Sequence, residues 1–213
     1  DETILINAGI EKAVASTKAT TSQIGIIILL AHACIQKTMQ AKQILHDASG
    51  KINDMLNPRY ENVLLKLAAK IKDSSDIYII GKGINFPVAK EAAIKLQEIS
   101  YIHAEAFAGG ELKHGPLALI QKGTPVVVLA SKDKNYHDIL SNAIEIKSRG
   151  GMIIGVSPES NEAFDIWLKV PEHDVDGSII NLIPVQLLSY FLGILKNNNP
   201  DKPRNLAKSV TVE

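Results

Sequence analysis

The chain of 213 residues has a single cysteine, Cys34, no surplus of either charge sign, and no uninterrupted apolar run long enough to span a bilayer. One cysteine excludes an internal disulfide. At the end of Ile26-Ile27-Ile28-Leu29-Leu30-Ala31-His32-Ala33 it reads as a small buried hydrophobe in a reducing compartment. Lysine plus arginine and aspartate plus glutamate number 23 each, with no long block of one sign, which argues against nucleic acid as a partner. A membrane helix needs about 20 apolar residues. The Ile26 run falls short of that, and Ile179 to Leu195 is interrupted by Asn181, Pro184, Gln186 and Ser189. Short-period repeats, low-complexity tracts, a secretory leader and the H-x-x-x-H or C-x-x-C patterns of metal sites are all missing. Together these absences predict a soluble cytoplasmic protein with no metal, no nucleic acid and no membrane partner. The chain also lacks an initiator methionine and enters on Asp1-Glu2-Thr3-Ile4 as if within a strand, so it reads as a fragment.

What is present is an alternation of short apolar runs with helical patterns. From Lys18 to about Gln40 the dense apolar residues, preceded by Ser16 and Thr17 as caps, predict a long buried core helix. A more amphipathic helix over Glu61 to Ile71 precedes the polar break Asp73-Ser74-Ser75-Asp76, which marks a domain boundary. Beyond it Ile77–Ile80, Pro125–Leu129, Met152–Val156 and, more weakly, Ile166–Val170 read as strands. Helices are expected after Pro87, from Tyr136 to Arg149 and from Ile179 to Leu195. Such alternation predicts an α/β fold, a parallel sheet covered by helices on both faces. The tail from Asn197 is too polar and proline-rich for a core element, so it is either pinned by contacts or mobile.

Four features carry candidate chemistry. Gly81-Lys82-Gly83 ends a strand just before a helix, where anions are welcome, although glycines there also serve the sharp reversal alone. On the following helix Lys95 and Glu98 share a face, with Glu91 one turn earlier as a partner for Lys95. They form either a solvated salt bridge or a general base beside a cation that steadies developing negative charge. The stretch Tyr101 to Pro116 reads as a loop that concentrates His103, Glu105, Glu111, Lys113 and His114. His114 is either an acid/base group or an exposed loop histidine. Lys208 by itself is an ordinary lysine of the tail.

Three stretches, in order, add a resemblance. Glu98-Ile99-Ser100-Tyr101-Ile102-His103-Ala104-Glu105 through Glu111-Leu112-Lys113-His114-Gly115-Pro116 resembles the isomerase signature of the glucosamine-6-phosphate synthases, the isomerising glutamine:fructose-6-phosphate aminotransferases. The ending Pro203 to Glu213 is similar to that family's C-terminus, and Asn7-Ala8-Gly9 through Val14-Ala15-Ser16-Thr17-Lys18 to a stretch late in its first sugar-isomerase (SIS) subdomain. The resemblance implies a three-layer αβα sandwich of SIS type with a central parallel sheet, one subdomain complete and one partial. Residues 1–72 would end the first subdomain, 73–198 form the second, and 199–213 make a catalytic tail. It implies Glu98 as the base that moves a proton between sugar carbons, and His114 as the group for ring opening, reaching the site of a neighbouring subunit in a homodimer. Lys208 would be the Schiff-base amine and Lys95 the stabiliser of the enolate-like intermediate. Glu11, Val14 and Ser16 would line the sugar pocket, and Arg204 would position the closing tail.

By the same resemblance the reaction turns fructose 6-phosphate and ammonia into glucosamine 6-phosphate, with a glutaminase domain of the full-length chain as partner and no metal or organic cofactor. Departures accompany the matches. The family's glutaminase domain begins with a nucleophilic cysteine where this chain has Asp1, and the serine/threonine-rich phosphate loop of the first subdomain has no counterpart here. Thr20 stands where the family often has an aromatic residue. The fragment is therefore expected to turn over little or nothing alone. A plain phosphosugar isomerase and a sugar-phosphate-sensing module on the same fold are the alternatives.

Overall fold

The computed structural model describes residues 2–209. Three helices come first: α1 (Lys18–Cys34), α2 (Thr38–Met55) and α3 (Pro58–Ile71). Then β1 (Asp76–Gly81), α4 (Asn85–Ser100), β2 (His103–Ala108), β3 (Pro125–Leu129), α5 (Tyr136–Ser148), β4 (Met152–Ser157) and β5 (Ile166–Lys169) follow, and α6 (Gly177–Ile180) and α7 (Leu182–Leu195) close the fold. The five strands form one parallel sheet in the order β2-β1-β3-β4-β5.

The sheet is buried on both faces, which is why its central strands are continuous apolar runs rather than alternating ones. Along β1, Ile77 and Ile79 enter the core formed with α3, α4 and α7, while Tyr78 and Ile80 enter the one formed with α5. The predicted α/β sandwich is thus the observed one. The stretch Gly177–Leu195 is long and apolar enough to cross a bilayer, yet 61% of it is buried inside the molecule. There α7 packs against α3 and α4. The break at Asn181 joins α6 to α7, and its side chain turns inward to bond Asn85 and Ser131.

The reversal between β1 and α4 explains its glycines. A Cβ on Gly81 would sit 2.2 Å from the Asn85 carbonyl oxygen, and Gly83 has φ +60°. Lys82 is paired with Asp138 of α5. The turn therefore has a full steric reason for its composition before any anion is invoked.

Four expectations need correction. The first helix ends at Cys34 rather than near Gln40, because Gln36 takes φ 59° and a separate helix, α2, starts at Thr38. Nor is α1 a buried core helix, since of its residues only Gly25 and Ile28 are buried, while Ile27 and Leu30 are 63% and 46% exposed. The reason is that α2 and α6 are what the chain packs against it. Cys34, at the helix end on the uncovered side, is exposed rather than buried. Finally, the loop read over Tyr101 to Pro116 contains the edge strand β2, and two 3-10 turns follow, Gly109–His114 and Pro116–Leu119.

Candidate active site

The N-terminal segment and the C-terminal tail, nearly the full length of the chain apart, meet at one carboxylate. Glu11 accepts the Thr17 backbone N–H at 2.7 Å and the Thr17 hydroxyl at 3.1 Å on Oε1, and the Ser16 hydroxyl at 3.3 Å and the Lys208 ammonium at 3.1 Å on Oε2. Thr17 was expected to cap α1 with its side chain, but its hydroxyl is committed to Glu11 instead. Partial burial raises the carboxyl's pKa, but the bonds from Thr17 and Lys208 outweigh it and hold Glu11 down at about 2. Lys208 Nζ also reaches the Val14 carbonyl at 3.5 Å. Glu11, Val14, Ser16 and Lys208 are therefore one cluster, with the Lys208 side chain 44% exposed and open to a ligand.

A second cluster lies on α4. Its helical spacing stacks Glu91, Lys95 and Glu98 on one face, so that the Lys95 ammonium lies 2.8 Å from Glu98 Oε2 and 3.3 Å from Glu91 Oε1. The side chain of Lys95 is only 3% exposed, which removes the solvated surface pair from consideration. A cation is thus held out of water between two carboxylates that stay partly accessible, at 25% and 23%.

The tail runs between the first cluster and the C-terminal end of α4. Asn198 donates to the Ile99 carbonyl at 2.9 Å, and the Arg204 N–H donates to the Tyr101 hydroxyl at 2.8 Å, with the guanidinium 4.3 Å over the Tyr101 ring. Both anchors lie at the C-terminal end of α4, within one turn of Glu98. Between them the Asp201 carbonyl accepts the Val14 N–H at 3.0 Å. The described tail is pinned, and its last residues, 210–213, lie outside the described residues. A cavity of about 240 Å³ lies between α1, the first half of α4 and the α6–α7 junction. Thr20, which donates to Ser16 Oγ at 3.0 Å, lines one wall, and Glu91 lines the other.

His114 is not brought into either cluster. It is exposed on the first 3-10 turn and makes no hydrogen bond or ion pair among the described residues. Among those residues no group of three or more His, Cys, Asp and Glu side chains gathers as a metal site would require.

Two features escaped the sequence. Tyr101 anchors the tail from a left-handed position, φ 57°, that ends α4. Its partner is 103 positions away, so no local pattern announces it. A buried network also links the start of α4 to the loop after β3. In it the Asn85 amide donates to the Ser131 hydroxyl at 2.8 Å, and Ser131 Oγ meets His173 Nε2 at 2.9 Å. Burial, the largest influence on His173, lowers its pKa. Polar side chains on one helix start and two separate loops give no spacing to read.

Comparison with known proteins adds the following. The SIS domain family profile matches residues 70–194. The chain is 43% identical over 226 residues to a glutamine–fructose-6-phosphate aminotransferase (isomerizing) of Pyrococcus horikoshii, an alignment covering 100% of this chain and 36% of that protein. It is 43% identical over 220 residues to the protein of the same name from Buchnera aphidicola, covering 99% and 36%. Among solved structures, the C-terminal domain of glucosamine-fructose-6-phosphate aminotransferase from Francisella tularensis superposes with a TM-score of 0.81 at 34% identity, covering 91% of this chain and 58% of that one. A glucosamine-6-phosphate deaminase from Thermotoga maritima gives 0.70 at 25% identity, covering 94% and 59%.

Proposed function

This chain belongs to the SIS domain family, and on that footing we propose that it supplies the isomerase portion of an isomerising glutamine–fructose-6-phosphate aminotransferase, which makes glucosamine 6-phosphate. It spans 36% of the length of the Pyrococcus relative, so the glutaminase partner and the complete reaction belong to a longer chain. Residues 1–72 would be the end of a first SIS subdomain, 73–198 a second and 199–213 a catalytic tail. On that division α3 of the first would pack on α7 of the second, a contact the fold contains. The full-length protein would be a cytoplasmic homodimer.

The observation that carries the reading is the meeting of Lys208 with Glu11, Val14 and Ser16, on a tail anchored one turn from Glu98. In the proposed reaction the Lys208 amine adds to the ketone of open-chain fructose 6-phosphate and water leaves, forming an imine. Ammonia then displaces the lysine nitrogen. Glu98 withdraws a proton from C1 as the imine nitrogen takes one up, giving an enolamine, and returns its proton to C2 as the C1 hydroxyl gives up its own, leaving an aldehyde at C1 and an amine at C2. Lys95, 2.8 Å from Glu98, steadies negative charge that develops during the transfer. Glu11 holds the free Lys208 ammonium in place until the sugar enters, and Val14 and Ser16 line the sugar. Arg204, stacked on Tyr101, keeps the tail over the site and water out of the imine. His114, exposed and unpaired among the described residues, suits a role in ring opening at a neighbouring subunit's site.

Borohydride reduction of the full-length protein with fructose 6-phosphate tests this. A hexitol phosphate adduct is expected on Lys208 by peptide mass spectrometry, absent from Lys208→Met. Glu98→Gln should still give the adduct while losing about a hundredfold or more in turnover. A wild-type protein that binds the sugar and gives no adduct would turn the reading toward a sensing module.

A further inference from the structure

The buried network around Ser131 occupies a particular place in the sheet. From β1 the chain crosses through α4 to β2 on one side, and from β3 through α5 to β4 on the other, so the carboxyl ends of β1 and β3 flank the point where the strand order reverses. Open parallel sheets keep their ligand crevice there. In this chain side chains fill it instead. Asn85 from the first residue of α4, Ser131 from the loop after β3 and Asn181 from the α6–α7 junction are 2%, 7% and 0% exposed. His173, from the loop between β5 and α6, closes the group, its ring lying so near Gly177 that a Cβ there would overlap the imidazole.

Counting protons fixes the direction of each bond. Ser131 Oγ accepts from the Asn85 amide at 2.8 Å and from the Asn181 amide at 2.9 Å, and Asn181 also donates to Asn85 Oδ1 at 3.0 Å. Both lone pairs of the hydroxyl are thus taken, and its one hydrogen is left for His173 Nε2, 2.9 Å away. The other ring nitrogen, Nδ1, lies 2.9 Å from the Pro171 carbonyl, which can only accept, so the ring proton sits on Nδ1. Only a neutral ring fits this pattern. A proton on Nε2 would point at an oxygen that already accepts twice and at the Asn181 amide nitrogen, 3.3 Å off. Burial is the largest influence on the ring and, with Lys51 of α2, holds its pKa below the ordinary value, while the Pro171 bond, Asp176 on its own loop and Asp133 beyond β3 pull the other way. The members of the network from α4 and the α6–α7 junction, Asn85 and Asn181, carry no charge.

We infer that His173 is a positioning residue: as a neutral ring that accepts the Ser131 hydroxyl it latches the first turn of α4, the helix that carries Lys95 and Glu98, to the loop after β3 and to the α6–α7 junction, and taking up a proton opens that latch. Its effect on turnover rests on the isomerase reading, whereas the latch itself does not. A ring held neutral in the folded chain and free to charge in the unfolded one contributes stability that is fully present above the ordinary histidine pKa of about 6.5 and is lost as pH falls from there through the lower folded value.

Hydrogen exchange and kinetics of the full-length protein at about pH 5 and about pH 7.5, on either side of the ordinary histidine pKa, test the latch in the wild type, His173→Gln and His173→Leu. Glutamine places an amide oxygen near where Nε2 accepts and takes up no proton, whereas leucine removes the acceptor. Corrected for intrinsic rates, the amides in the first turn of α4 of the wild type are expected to lose about tenfold in protection at the lower pH, the worth of one hydrogen bond to a buried partner. His173→Gln should keep that protection at both pH values, and His173→Leu should lack it at both. At the higher pH His173→Leu should lower kcat several-fold with KM for fructose 6-phosphate little changed, and His173→Gln should restore it. Protection that falls equally in the wild type and His173→Gln on acidification would overturn the proposal. So would wild-type exchange and kcat in His173→Leu. A full-length protein that shows the expected exchange pattern but no turnover would support the latch and count against the isomerase reading alone.

Discussion

Glu11 concentrates more donors than any other carboxylate of the proposed site, and that has a consequence for pH. Its folded pKa of about 2 lies below the ordinary value of 4.5, because the Thr17 and Lys208 bonds more than offset partial burial. A carboxyl with a depressed folded pKa contributes stability that is fully present above its unfolded value and is lost as pH falls through the folded one. Docking of the tail onto the N-terminal segment should therefore hold above pH 4.5 and weaken progressively toward pH 2. Hydrogen exchange of the tail amides, corrected for intrinsic rates and followed down that range, is expected to show protection falling first in residues 199–208. Glu11→Gln should flatten the profile and lower protection already at neutral pH. At the same scale, Lys95 illustrates what spacing conceals. The i, i+3 and i, i+4 relations to Glu98 and Glu91 are plain in the sequence, but the 3% exposure that turns a surface pair into a sequestered cation is a property of the packed helix.

Most elements were legible because their signals are local. The strand at Pro125–Leu129 and the helix from Tyr136 follow directly from β-branched runs and apolar periodicity, and the four strands read from the sequence fall within a residue of those observed. Two elements were not legible, for different reasons. Helix α2 carries its inward positions on Ala41, Leu45, Ala48, Ile52 and Met55, a helical period blurred by two alanines and interrupted by Gly50. Strand β2 alternates His103 and Glu105 outward with Ala104 inward, but alanine is too small and too poor a strand former to announce a buried face. The candidate site was legible only as separate motifs, since the meeting of Lys208 with Glu11 spans 197 positions. The turn that starts α4 offers a test of element placement. A Cβ at Gly81 would press on the backbone of Asn85, not on a movable side chain, so Gly81→Ala must displace the first turn of the helix that carries Lys95 and Glu98. Strain of this kind costs about 1–3 kcal/mol. A fall in midpoint of thermal unfolding together with a loss of sugar-phosphate turnover is expected. An unchanged Tm would mean the turn can relax without moving α4.

At the scale of the whole molecule the two halves differ in how completely they are covered. The sheet and its helices bury strands β1, β3 and β4 on both faces. By contrast α1 turns Ile27, Leu30, Ala31 and Cys34 outward on one stripe, with Ile35 and Met39 just beyond at 61% and 74% exposure. Single exposed apolar residues are ordinary, but a contiguous apolar stripe on a helix is a surface that associates. The chain of 213 residues produced alone should therefore self-associate through α1, in addition to any pairing the full-length protein undergoes. Replacing Ile27 by Glu together with Leu30 by Lys puts charge on the stripe without touching the buried Gly25 and Ile28. Light scattering coupled to size exclusion is expected to show a lower mean mass for the double variant at unchanged circular dichroism. The Cys34 thiol should react stoichiometrically with a disulfide reagent in that variant and more slowly in the associated parent. Equal masses for the two proteins would mean that association, if present, runs through another face and that the exposed stripe is not what drives it.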